Sequence, residues 1–269
     1  MQETPEKRGV FEKLPQPEQS HIKRVIAVMS GKGGVGKSTI AALTAAALAR
    51  EGKKVGVLDA DITGPSIPRL FGVRTEPVAL PVGMVPPETA LGIRIMSINL
   101  LLPQEDDPVI WRGPIIAGAV KQFWTDVVWG DLDYLIVDLP PGTGDAPLTV
   151  MQSLPLDGII VVTSPQELAL MVVKKAVKMA ETLAVPLLGL VENMSYVTCP
   201  RCGERIDVFG PNRAERAAQD LGLTYIGGMP IDPALTALAD RGAIEQYQSE
   251  LGRLIASRLA AAEDAGRPR

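Results

Sequence analysis

Cysteine and histidine are almost missing from this chain: 269 residues contain two cysteines and one histidine. That scarcity excludes a disulfide scaffold. No run of lysines or arginines forms a stripe, and the net charge is −4, so non-specific nucleic-acid binding is not expected. No apolar stretch reaches the roughly 18 residues a membrane span needs. The opening Met1-Gln2-Glu3-Thr4-Pro5 has no apolar signal region. The expectation is a cytoplasmic protein without membrane or nucleic-acid partners.

What the chain does have is core material. Hydrophobic residues make up 46% and charged residues 22%, a balance that excludes a disordered chain and fits one α/β unit. Residues 1–23 lack a hydrophobic period and read as a flexible tail that contains His21; 24–262 read as a single domain and 263–269 as a fraying end. Within the domain, apolar β-rich runs alternate with helical stretches. The expected strands are Val25–Met29, Val55–Asp59, Ile93–Ile98, Tyr134–Asp138, Ile159–Thr163, Leu187–Val191 and Tyr225–Ile226. The expected helices are roughly 38–50, 115–128, 166–184, 212–221 and 244–262. Runs such as Leu135-Ile136-Val137 predict strands buried on both faces, hence a mostly parallel sheet with helices on both sides. Ligands in such sheets sit at the carboxyl ends of the strands. Residues 74–92, rich in proline and glycine, read as an excursion or a small hairpin.

The stretch Gly31-Lys32-Gly33-Gly34-Val35-Gly36-Lys37-Ser38-Thr39 matches the phosphate-loop pattern G-x-x-x-x-G-K-[ST]. It stands between an apolar strand and an alanine-rich helical segment, the context that motif requires. Its glycines let successive N–H groups and the helix N-terminus face a phosphate. Lys37 then reaches the β- and γ-phosphates and Ser38 holds Mg²⁺. A P-loop NTPase fold follows, with the whole stretch from Gly31 to Thr39 as candidate nucleotide contacts.

Two expected strands end in aspartate, at Asp59-Ala60-Asp61 and at Asp138. In a parallel sheet both ends share an edge with the phosphate loop, and a hard anion there suits Mg²⁺. Asp138 is the candidate for organising the metal. Asp61, at the start of a Thr63-Gly64-Pro65 turn, is the candidate for orienting the attacking water, and Ser38, Asp61 and Asp138 form the Mg²⁺ set. Gly142, Gly144 and Asp145 follow Asp138 and read as a switch loop able to change backbone state with the γ-phosphate. The competing reading for each aspartate is a helix or turn cap. Lys32, the second lysine in the loop, reads either as a solvent-facing charge or as a group acting on the phosphate of a facing subunit, as an arginine finger does.

Cys199-Pro200-Arg201-Cys202-Gly203 holds both cysteines, as a short insertion at 199–202. Proline and glycine shape a turn that presents two thiolates to one metal. Zinc and iron–sulfur sites alike take roughly four ligands, and no other Cys or His completes the set. A two-fold dimer giving two thiolates from each chain resolves the shortage. A redox dithiol and an inert pair are the alternatives.

The two-lysine loop is similar to that of the MinD/ParA class of dimeric ATPases. Within the class, five stretches together resemble the Mrp (ApbC) branch: Asp59 to Ser66, Trp111-Arg112-Gly113-Pro114, Leu132 to Asp145, Glu192-Asn193-Met194-Ser195, and the Cys-x-x-Cys. The resemblance implies a homodimeric, slow ATPase that binds a [4Fe–4S] cluster between its subunits, interacts with scaffold proteins and passes the cluster to apo-proteins. It implies that Asn193 contacts adenine, that Asp61 is the hydrolytic aspartate, that Lys32 acts across the dimer and that Cys199 and Cys202 hold the cluster. The chain departs from the pattern at Thr63, where tyrosine is common, and at Phe209-Gly210-Pro211-Asn212, which replaces a more glycine-rich stretch. A positioning or partitioning ATPase with a structural or redox cysteine pair is the alternative; it gives the thiols no role of their own. An ATP-driven electron donor is a third reading, set against it by the adjacency of the two cysteines.

Overall fold

The computed structural model describes residues 18–102, 113–165, 168–210 and 213–265. Its frame is a seven-stranded, all-parallel sheet. In chain order the sheet strands are β1 (Ser20–Ser30), β2 (Val55–Asp59), β5 (Arg94–Met96), β6 (Gly130–Asp138), β7 (Gly158–Thr163), β8 (Leu187–Glu192) and β11 (Tyr225–Gly228). Two small antiparallel hairpins stand apart from it: β3 (Val78–Leu80) with β4 (Gly83–Val85), and β9 (Val197–Thr198) with β10 (Arg205–Ile206). The helices are α1 (Lys37–Arg50), α2 (Ile67–Phe71), α3 (Gly113–Thr125), α4 (Asp145–Ser153), α5 (Leu168–Thr182), α6 (Ala214–Asp220), α7 (Pro233–Asp240) and α8 (Glu250–Ala265).

The spatial order is β11-β8-β7-β1-β6-β2-β5. The chain leaves β1 for β2 and β5, returns to insert β6 beside β1, then crosses to β7, β8 and β11. That reversal makes β1 the switch point of the sheet, where ligands bind in folds of this kind. Both faces are buried, as the continuous apolar strands require. Ala27, Met29, Leu135 and Val137 pack on one side with Phe123, Val150 and Val177 of α3, α4 and α5. Ile26, Val28, Val57 and Ile136 pack on the other with α1 and with Ile255 of α8. Between sheet and α8, α1 is buried nearly all round. A Cβ on Gly252 would lie 2.9 Å from the Leu43 carbonyl, so glycine there is what lets α8 approach α1 this closely.

All seven expected strands belong to the sheet. The expected tail boundary moves: β1 begins at Ser20 because its first half pairs with β6 (Ser20 with Gly130, Ile22 with Leu132), which buries Ile22. His21 is therefore an exposed strand residue whose Nδ1 lies 3.7 Å from Asp131, not part of a structureless tail. At the other end α8 runs to Ala265, past the expected limit of 262. The helices α2, α4 and α7 were not expected. In α7 the signal was present: Asp232 accepts from the Ala234 N–H at 2.8 Å with proline at the helix start. Trp111-Arg112 and residues 1–17 lie outside the described residues. No described helix is long and apolar enough to cross a membrane.

Candidate functional site

The phosphate loop starts where β1 ends. The Ser30 hydroxyl donates to the Lys32 carbonyl at 2.9 Å. Gly34 and Gly36 take φ of +77° and +79°, a left-handed backbone that costs a side-chain-bearing residue about 1–2 kcal/mol. Gly36 caps α1 and, being glycine, gives the first-turn amides no side-chain cap. Those N–H groups and the positive end of the helix point where an anion would sit. Gly31, Lys32, Ser38 and Thr39 are partly exposed, Gly33 and Gly34 exposed, and Val35 and Lys37 buried.

Register brings the acids together. Asp59 and Asp138 are Cα partners across β2 and β6, and Asp138 is also the partner of Val28 in β1. The Lys37 Nζ donates to Asp138 Oδ1 at 2.6 Å and lies 3.9 Å from Asp61 Oδ2. Lys37 is 5% exposed and Asp138 fully buried. Burial pushes the Asp138 carboxyl above the ordinary carboxylate range, and the Lys37 charge pulls it back. Among the described residues Asp138 Oδ2 is buried and accepts no hydrogen bond. An oxygen left bare this way fits a group that brings positive charge, and the Ser38, Asp61 and Asp138 oxygens are the hard donors Mg²⁺ takes. The Thr63 hydroxyl donates to Asp61 Oδ1 at 3.2 Å.

Asp59 resolves in favour of its capping reading. Its Oδ2 accepts from the Ser66 and Ile67 N–H groups, both at 3.1 Å, and from the Ser97 hydroxyl at 3.2 Å. Its Oδ1 accepts from the Asp61 N–H at 3.3 Å. It thus holds both the start of α2 and the backbone of Asp61. Burial first, then the neighbouring Asp138, pushes its carboxyl up to about 8. Gly142, at φ +95°, donates its N–H to the Ser30 carbonyl at 2.9 Å, which ties the loop after Asp138 to the base of the phosphate loop. Gly144 caps α4 and Asp145 is its first residue.

Asn193 comes from β8 onto the phosphate loop. Its Nδ2 donates to the Val35 carbonyl at 2.9 Å, and its Oδ1 accepts from the Met194 N–H at 2.9 Å. A Cβ on Gly36 would lie 2.1 Å from that Nδ2. Glu192 is not among the site residues the sequence predicts. It is a buried strand-end carboxylate like Asp59 and Asp138, and it accepts from the Ser195 hydroxyl. The strand-end rule that found the aspartates applies to it equally.

The cysteines stand elsewhere, on the turn between β9 and β10. The Cys199 N–H donates to the Glu204 carbonyl at 2.8 Å and the Gly203 N–H to the Cys199 carbonyl at 2.9 Å, closing the turn. Gly203 takes φ +76°. Both thiols are free; Cys202 is exposed and Cys199 partly so. Backbone N–H groups of Cys202 and Arg201 hold the Cys199 thiol below its ordinary range. Ile206 in β10, and Val208 and Phe209 just after it, are exposed apolar residues. Among the described residues no third Cys, His, Asp or Glu joins the pair as a metal set.

The family model described as a NUBPL iron-transfer P-loop NTPase of the ParA group matches residues 21–261. A protein of Methanocaldococcus jannaschii named iron-sulfur cluster carrier protein is 52% identical over 225 residues, 83% of this chain and 78% of its own length. Its namesake in Clostridium perfringens is 49% identical over 238 residues, 86% of this chain and 84% of its own. Among solved structures, a nucleotide-binding protein of Archaeoglobus fulgidus in complex with ADP is 49% identical with a TM-score of 0.78, over 86% of this chain and 90% of that one. The cell division ATPase MinD of Pyrococcus furiosus shares the fold at 20% identity and a TM-score of 0.62, covering 91% of this chain and 100% of that one. With the phosphate loop, its buried lysine and the strand-end aspartates arranged as such a fold requires, the chain belongs to the ParA-type family of NUBPL iron-transfer P-loop NTPases.

Proposed function

We propose that the protein is a homodimeric, slow ATPase that holds a [4Fe–4S] cluster on thiolates from both subunits, receives it from scaffold proteins and delivers it to apo-proteins. The observation that carries this reading is the half-complete ligand set. The chain's two thiols sit together on an exposed turn, and no third ligand joins them among the described residues. A cubane cluster takes about four thiolates, so a second copy supplies the remainder. The exposed apolar residues Ile206, Val208 and Phe209, in and just after the hairpin's second strand, support burial of that region on dimerisation.

In this reading the loop amides from Gly31 to Thr39 and Lys37 cradle the β- and γ-phosphates, and Asn193 presents its second amide N–H to adenine. Ser38, Asp61 and Asp138 would hold Mg²⁺, which offsets the charge of the phosphates. Asp61 orients a water toward the γ-phosphorus; the new P–O bond forms as the bridging oxygen leaves with ADP. Lys32 stabilises the departing charge across the dimer. Gly142, Gly144 and Asp145 read the γ-phosphate through the bond to Ser30.

Anaerobic reconstitution with iron and sulfide tests the proposal. The expected product has broad visible absorption and about four irons per dimer, and Cys199→Ser loses both. Wild-type protein that binds zinc alone, or forms a disulfide and takes no iron, would remove the carrier role.

A further inference from the structure

Five residues, 194–198, separate Asn193, on the phosphate loop, from Cys199. Every residue across the first half of that span is held. Asn193 is bonded to Val35, and it leaves no room at Gly36, so a shift of the Val35–Gly36 backbone displaces it. Met194 follows at φ +59°, a left-handed state rare for a methionine, secured by its N–H on Asn193 Oδ1. Ser195 is buried; its N–H donates to the Met229 carbonyl at 2.8 Å and its hydroxyl to the Glu192 carboxylate. A Cβ on Gly228 would stand 2.5 Å from that hydroxyl, so Ser195 has no slack on that side. The Tyr196 carbonyl accepts from the Ile231 N–H at 2.8 Å, and the Arg205 guanidinium of β10 covers the Tyr196 ring at 4.2 Å. Thr198 then pairs with Arg205 in the hairpin that carries both cysteines.

We infer that Asn193–Thr198 is a positioning link through which nucleotide occupancy sets the posture of the thiol turn, with Met194 as its hinge and the Ser195–Glu192 bond as its latch. The link rests on the nucleotide and thiol roles proposed above. The connection is short: the chain at Asn193 runs directly into the hairpin, whereas Gly142 is bonded to Ser30 and its loop continues into α4. A displacement at Asn193 has two ways to relax. It can be absorbed by a φ change at Met194, or, with the latch closed, it can be passed to Tyr196 and through Arg205 to both sides of the turn. Bistable packing of this kind, and not continuous bending, is how small shifts at one site reach another.

The test uses full-length, reduced, metal-free protein, so that it does not depend on any cluster. Iodoacetamide alkylation of Cys199 and Cys202 is timed without nucleotide, with ADP and with a non-hydrolysable ATP analogue. Nucleotide affinity, melting temperature and oligomeric mass are recorded for each sample. Wild type is expected to show rates that differ about fivefold or more between nucleotide states. Ser195→Ala and Met194→Gly are expected to bind nucleotide as wild type does and to lose that difference; either variant suffices if the other does not fold. Equal rates in the wild type would overturn the link. So would variants that keep the full difference, which is the result expected if a second copy simply shields the thiols. Loss of the link would leave the carrier role to be decided by reconstitution alone.

Discussion

Removing the Lys37 ammonium without removing its bulk isolates the electrostatics of the site. In Lys37→Met the Asp138 carboxylate, fully buried, loses the donor now 2.6 Å from it and still faces Asp61 and Asp59. It has two courses. It stays charged, and an uncompensated buried charge costs about 3–5 kcal/mol. Or it takes a proton; bringing a carboxyl of ordinary pKa about 3.9 to its protonated form at pH 7 costs about 4 kcal/mol, at about 1.4 kcal/mol per unit. The two routes agree, so nucleotide-free Lys37→Met should be about 4 kcal/mol less stable at pH 7. For a chain of this size that is a melting temperature lower by about 8–16 °C. The protonation route also sets the pH dependence. A carboxyl whose folded pKa is raised contributes stability below its unfolded pKa and loses it as pH rises. The deficit should therefore shrink to about 2 kcal/mol at pH 5.5. Adding Asp138→Asn to Lys37→Met should recover most of it, since no charge is then stranded. Thermal and urea unfolding of the nucleotide-free proteins at both pH values decide the matter. A deficit below about 1 kcal/mol, or one that does not change with pH, would show that Lys37 is not what keeps Asp138 ionised.

Three further outcomes follow from the same geometry. Asp59, pushed up to about 8, keeps a proton that the unfolded chain releases near pH 4; nucleotide-free protein should therefore lose stability as pH rises toward 8, and Asp59→Asn should flatten that slope in unfolding titrations. Gly36→Ala forces a side chain into φ +79° and onto the Asn193 amide; its melting temperature should fall and its ADP affinity, read by calorimetry, should drop by about tenfold or more. Gly242→Ala meets the Gly72 backbone, with a Cβ 2.5 Å from its Cα at φ +68°; it should cost about 2–4 kcal/mol in unfolding while leaving ADP affinity intact, because the Cβ meets Gly72 and Arg69 and no residue of the phosphate loop.

The seven sheet strands were legible because strands buried on both faces must be apolar throughout, as Ile159–Val162 and Leu135–Val137 are. Helices were harder. The alanine-rich α1 announces itself, but α2 and α4 are short, and what holds α2 is the Asp59 carboxylate, distant in sequence. The phosphate loop and the strand-end aspartates were legible because anion binding and metal binding constrain residue type at fixed spacing. Glu192 and Ser195 were not singled out: their bond is short-range, but its meaning depends on Met229 and Gly228 packing against it.

The sequence by itself determined the chemistry available: a glycine-rich loop of the phosphate-binding pattern, acids at strand ends, and two thiols in one turn. Each follows from local backbone and side-chain limits that a motif records directly. Only the tertiary structure decided how those parts are shared out. It set Asp59 to hold α2 and the Asp61 backbone while Asp138 takes Lys37, because sheet register made Asp59 and Asp138 neighbours. It also seated Asn193 on Val35, across a sequence separation of 158 residues. Pairings of that kind depend on strand order, which local sequence does not encode.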